Sequence, residues 1–187
     1  VSNNESLLLE LFGRIKTLEE KVESLENAQI NTYQQNDKDT EKITRSVARR
    51  YVINQIKKQP YISEVIIGNR STAADLIIKN GSTINAKFYY SKSYLQDIPS
   101  SWYTVSKTDL NDEVIDLYIF TMTYEKNYHT LLFTSEQLKG LVHHKQTDSS
   151  DKYHFYFHKR GGHLLEVRDE EIDVTNFYEK WNAIHDL

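Results

Sequence analysis

Carboxylate and ammonium side chains on neighbouring strands can hold a hard cation and steady a developing negative charge. One stretch of this chain offers that combination. Asp75 lies before the turn signal Asn80-Gly81, and Asn85-Ala86-Lys87 lies after it. The flanking apolar runs, 74–79 and 82–90, predict a β-hairpin. Turn length decides whether the groups meet. A two-residue Asn-Gly turn pairs Asp75 with Ala86 and sends Asn85 and Lys87 to the opposite face. A three-residue turn, Lys79-Asn80-Gly81 with Gly81 left-handed, pairs Asp75 with Asn85, and alternation then puts Asn85 and Lys87 on its face. The chemistry needs that second turn, or a bend at Asp75 that resets the count.

The text GNRSTAADLIIKNGSTINAKFYYSKSY, entered from a predicted helix, resembles the PD-(D/E)XK nuclease superfamily. The pattern there is an Asp, then an acidic residue, any residue and Lys on the next strand. The segments LLFTSEQL and NFYEKWNAI also look like restriction-enzyme-related domains. The resemblance covers residues 40–187, with the chemistry confined to Asp75–Lys87. It implies a restriction-endonuclease-like fold, DNA as partner and Mg²⁺ as cofactor. In that family carboxylates hold the ion, which polarises the scissile phosphate and lowers the pKa of a bound water. By this resemblance Asp75 is the metal ligand and Lys87 the cation that stabilises charge or orients the water. The departure is Asn85, where the family has Glu or Asp: an amide oxygen can bind Mg²⁺ but brings no charge, so affinity and rate should fall. Glu64, on the preceding predicted strand, is the candidate for the missing carboxylate, making Asp75, Asn85 and Glu64 the expected ligand set. Failing that, the domain binds without cutting.

The elements that must position these groups follow from periodicity. Asp37 to Thr40 offer helix-capping side chains before Ile43, Val47, Tyr51 and Ile56, a helix expected to end near Lys58, ahead of Pro60. Strands are predicted over 63–67, 74–79, 82–90, 114–124 and 130–133, and a short helix over 136–142. The stretch holding Pro99 and Trp102 looks irregular, and 143–152 reads as a mobile polar loop. Strands over 153–158 and 163–167 flank Lys159-Arg160-Gly161-Gly162, a hairpin turn, and Phe177, Trp181 and Ile184 suggest a last helix over 174–184. The expected class is mixed α/β (α+β), a central mixed sheet flanked by helices.

Upstream, Leu8, Leu11, Ile15, Leu18, Val22 and Leu25 recur at three and four. β-branched residues at a with Leu at d favour a parallel two-stranded coil, and Arg14 and Lys21 at g face Glu19 and Glu26 at e across it. The expected organisation is a coiled coil over 1–30, a polar joint over 31–39 and the domain over 40–187, with a homodimer formed through 8–25. The other account of this arm is an amphipathic helix lying on its own domain.

The chain's 187 residues have a net charge of −4 and no Cys, which excludes disulfides and thiolate metal sites and suits a reducing, cytoplasmic setting. No apolar run spans a bilayer, and the start lacks a basic signal region. Val1, where an initiator Met would stand, leaves room for an upstream segment. Residues 36–60 carry 7 basic and 3 acidic side chains, so any hold on phosphate is local. Arg45 and Arg49, one helical turn apart, and Lys92 beside Tyr89, Tyr90 and Tyr94 are the candidate nucleic-acid contacts; a solvated helix face and a half-exposed strand explain them equally. His154 and His158 stand roughly 13 Å apart on a strand, too far for one metal, whereas His158 and His163 face each other if the Gly-Gly turn brings them level. No phosphate loop, nucleophile elbow or dinucleotide fingerprint is present. The expected function is nucleic-acid interaction by a nuclease-like domain, a Mg²⁺-dependent DNA nuclease of restriction or defence type or an impaired relative; the alternative is a non-enzymatic dimeric scaffold.

Overall fold

The run Leu117–Tyr124 is apolar almost without interruption, and it forms an interior strand covered on both faces. The structure, a computed structural model, describes residues 43–69 and 71–187. The chain divides into two units, Val1–Ser46 and Val47–Leu187. The coiled coil and joint expected over 1–39 lie outside the described residues.

Helix α1 (Arg45–Lys57) comes first, with Ala48, Val52 and Ile56 as its buried stripe at four-residue spacing. Strands β1 (Glu64–Ile67), β2 (Leu76–Lys79) and β3 (Thr83–Lys92) form an antiparallel meander. The chain then makes β4 (Ser100–Ser106) and α2 (Lys107–Asn111) before β5 (Leu117–Tyr124) returns parallel to β3. Strand β6 (Asn127–Thr134) pairs antiparallel with β5, and α3 (Ser135–Val142) follows. Thr134 starts α3 through a capping box with Gln137, two otherwise unpaired N–H groups satisfied reciprocally. Strands β7 (Lys152–Arg160), β8 (His163–Glu166) and β9 (Ile172–Asp173) come last, before two 3₁₀ turns.

The result is a mixed α+β fold with two sheets: a five-stranded mixed sheet, β1-β2-β3-β5-β6, and a four-stranded antiparallel sheet, β4-β7-β8-β9. Their facing sides make one core. Tyr118, Phe120, Met122, Leu131 and Phe133 of the first meet Tyr103, Val105, Phe155, Phe157 and Leu164 of the second. Phe120 sits at the centre, its ring against those of Tyr89, Tyr103, Phe133, Phe155 and Phe157. The other side of the first sheet buries Leu76, Ile78, Ile84, Ala86, Phe88 and Ile119, and Tyr51 of α1 stacks on Tyr128 of β6 there.

The mixed sheet matches the sequence expectation; of the second sheet, β7 and β8 fall where strands were expected, while β4, β9 and the separation into two sheets were not legible. The stretch around Trp102, expected to be irregular, is β4. The expected last helix is two short 3₁₀ segments, Thr175–Phe177 and Trp181–Asp186, parted by Glu179 at φ 54. The loop 143–152, expected to be mobile, is pinned by Lys145, whose buried ammonium lies 2.9 Å from both Glu166 and Asp169. The Gly161-Gly162 turn forms as expected, both glycines at positive φ, but it pairs Arg160 with His163 and sets His158 against Leu165. The two histidines are therefore not cross-strand partners. No helix among the described residues is long and apolar enough to cross a membrane.

Candidate functional site

The β2–β3 register is neither of the two that the turn signal suggested. Leu76 pairs with Ala86 and Lys79 with Thr83, so the connection is Asn80-Gly81-Ser82. Asn80 sets this register: its Oδ1 accepts from the Ser82 N–H and hydroxyl, and Gly81 takes φ 97. Extended by one residue, the pairing brings Asp75 level with Lys87. Asp75 straddles that position. Its N–H donates to the Ala86 carbonyl, and its Oδ2 accepts the Phe88 N–H at 2.9 Å. Alternation puts Asn85 and Lys87 on one face of β3, the face of Tyr118 across the β3–β5 pair, while Asp75 lies in the bend that enters β2.

Asp75 is held in this bend by a close backbone approach. The Gly68 N–H donates to the Asp75 carbonyl, and a Cβ at Gly68 would lie 1.9 Å from the Ala74 carbonyl oxygen. Only glycine fits there.

Lys87 meets a carboxylate that the sequence motif did not name. Its ammonium lies 3.2 Å from Asp109, both side chains part-exposed. Asp109 is fixed twice: Ser106 caps α2 by accepting the Asp109 N–H, and the buried Tyr118 hydroxyl donates to the Asp109 carbonyl at 2.7 Å. Burial, with the charges of Asp109 and Asp112 beside it, raises the Tyr118 pKa, so Tyr118 remains a donor at neutral pH. Asp116 bonds both ways to Asn85, its Oδ2 accepting the Asn85 N–H at 2.8 Å and its own N–H donating to the Asn85 carbonyl. Asp109, Asp112 and Asp116 all come from KTDLNDEVID, whose run of Asp was the signal that could have found them.

Other expected residues lie apart. Glu64 pairs with Lys79 at the far end of β2, roughly 13 Å along the strand from Asp75, which removes it from a ligand set there. Lys92 closes β3 an odd number of residues beyond Lys87, so it leaves by the opposite face. Arg45 and Arg49 sit on α1 half-buried, while Arg50 and Lys57 are the exposed cations of that helix.

The hairpin donors are of the oxygen type that Mg²⁺ takes. Among the described residues, no three His, Cys, Asp or Glu side chains converge as a ready cage. Mg²⁺ does not require one, since one or two carboxylates, waters and substrate phosphate oxygens commonly complete its octahedron.

No family model and no curated protein matches the chain. Among solved structures it is similar to a bacterial homing endonuclease, with 12% identity and a TM-score of 0.47 over 76% of this chain and 90% of that one. No residue role is assigned from that likeness.

Proposed function

We propose that this domain acts on nucleic-acid phosphodiesters through a PD-(D/E)XK-like centre on the β2–β3 hairpin. The observation that supports this proposal is the pair of bonds by which Asp75 brackets Lys87 along β3, its N–H donating to the Ala86 carbonyl and its Oδ2 accepting the Phe88 N–H. Asp75 and the Asn85 amide would hold Mg²⁺, which when bound polarises the phosphate and activates water. Lys87 stabilises the charge that develops on the phosphoryl oxygens, and Asp109 orients the Lys87 ammonium. With Asp109 on the Lys87 ammonium, Asp116 on the Asn85 N–H and Asp75 on the Phe88 N–H, the hairpin is acidic and repels phosphate until a cation enters, which fits metal-dependent rather than metal-free chemistry. Asn85 makes the activity weak.

In this proposal the substrate is DNA, approached with help from Arg45, Arg49 and Lys92, in a cytoplasmic restriction or defence setting. Residues 8–25 dimerise the chain. A second reading has its own support: Asp75 is already engaged by the Phe88 N–H and Lys87 by Asp109, which favours a relative that binds and does not cut.

Plasmid and oligonucleotide cleavage in Mg²⁺ or Mn²⁺ tests the proposal. Slow, metal-dependent cleavage is expected, falling on the order of 100-fold in Lys87→Ala and rising in Asn85→Glu. Salt-sensitive binding without cleavage would establish the non-cutting relative, and neither activity would leave the dimeric scaffold.

A further inference from the structure

The outer side of the four-stranded sheet carries a different set of groups. Alternation turns Tyr103, Val105, Phe155 and Phe157 into the core, leaving Trp102, Thr104, His154, Tyr156 and His158 outward. Trp102 and Tyr156 are cross-strand partners, their rings 6.0 Å apart at 78°. Trp102 is 45% exposed, yet it is not left to rotate. Its indole N–H donates to His154 Nδ1 at 3.3 Å, and His154 Nε2 bonds Asp148 at 2.8 Å. An indole has only a donor, so Nδ1 accepts and the imidazole proton sits on Nε2, directed at Asp148. A large exposed ring fixed in one orientation has its ordering cost met before any ligand arrives.

Guanidinium groups flank the rings. Arg168 lies over Tyr156, 5.6 Å from the ring centroid, and Arg160 donates to His158 Nδ1 at 3.0 Å, with Tyr94 bonded to the other nitrogen of that imidazole. The neighbouring carboxylates are engaged or distant. Asp148 is held by His154 and Asp169 by Lys145 at 2.9 Å, while the arginines keep only long, part-exposed pairs, Arg168 with Asp169 and Arg160 with Glu171, both at 3.8 Å.

We propose that this sheet face is a stacking surface for a single strand of nucleic acid, with Trp102 and Tyr156 taking bases and Arg160 and Arg168 taking phosphates. Flat rings beside cations fit a polyanion with π-faced units; a neutral glycan would use the rings and leave both guanidinium groups idle. The face is on the other sheet from the hairpin centre and does not depend on it.

The chain has two Trp, and Trp181 is buried, so Trp181→Phe leaves Trp102 as the reporter. An oligothymidylate of about ten nucleotides, titrated into the full chain with chelator present, should quench Trp102 emission saturably, and added salt should weaken the effect. By anisotropy of the labelled oligonucleotide, Trp102→Ala and the pair Arg160→Ala/Arg168→Ala should each bind at least about tenfold more weakly, with Trp102→Phe recovering most of the loss. Lys57→Ala, which removes an exposed cation of α1, should bind normally, and that separates this surface from a general effect of charge. Absence of quenching, affinity indifferent to Trp102 and the two arginines, or equal quenching by a neutral cello-oligosaccharide would overturn the proposal.

Discussion

Two lysines of this domain sit in ion pairs, and burial makes them different devices. Lys145 is 0% exposed, 2.9 Å from both Glu166 and Asp169, with Phe155 beneath its ammonium. Lys87 keeps 19% of its side chain in water and meets one carboxylate at 3.2 Å. A buried charge has already lost its solvent and cannot exchange its carboxylates for water, so the contacts of Lys145 form a fixed structural joint. A part-exposed ammonium exchanges partners at little cost, which a phosphate-contacting group requires. Under the proposed function, the distinction makes Lys87, and not the more strongly held Lys145, the phosphate-contacting lysine.

Breaking the two pairs separately should break the comparison most visibly. Lys145→Ala leaves the buried Glu166 carboxylate without its cation and should cost about 3–5 kcal/mol in urea unfolding; Lys145→Met/Glu166→Gln, which keeps an acceptor for the Tyr156 and Arg168 N–H groups, should cost less. Gly68→Ala should follow at about 1–3 kcal/mol. It should also lower activity or metal binding, because the Ala74 carbonyl it displaces precedes Asp75. Lys87→Met should cost under about 1 kcal/mol while removing activity. A large stability loss in Lys87→Met would make Lys87 a structural lysine after all.

A pH series separates the same two kinds of group. Burial, with the Lys159 charge nearby, lowers the His129 pKa to about 4. The unfolded chain binds that proton near pH 6.5, so the contribution of His129 is complete above 6.5 and is lost as pH falls towards 4. His158 shifts in the same direction, again chiefly through burial. Asp173, held to about 2 by its bonds to Thr175 and His163, keeps its contribution until the pH drops below 3.8. Unfolding midpoints should therefore fall first in the histidine window, and His129→Gln should flatten that part of the curve.

How much of this was legible follows from which residues carried the signal. Strand β5 declared itself through an apolar run broken only by Thr121 and Thr123, and α1 through its four-residue stripe. Strand β4 did not, because Pro99 precedes it and Ser100 and Ser101, both buried, break the apolar alternation. Phe177, Trp181 and Ile184 imitate a helix in one dimension, but Glu179 turns left-handed to bond the Thr130 N–H and the Trp181 indole. At the site, Asp75 and Lys87 were readable as chemistry. The register of the hairpin that carries them was not, since it depends on Asn80 choosing Ser82 as a turn partner. Asp109 reaches Lys87 only through the chain's excursion into the second sheet, which local sequence does not encode.

Crystals grown with Mn²⁺ and a short oligonucleotide, with the ion located by its anomalous scattering, would probe the hairpin centre most directly. The account predicts a peak bonded to the Asp75 carboxylate and the Asn85 amide oxygen, with a phosphate oxygen on the same ion and the Lys87 ammonium turned towards that phosphate. A peak elsewhere on the domain, or none while Asp75 stays on the Phe88 N–H and Lys87 on Asp109 beside bound oligonucleotide, would contradict it.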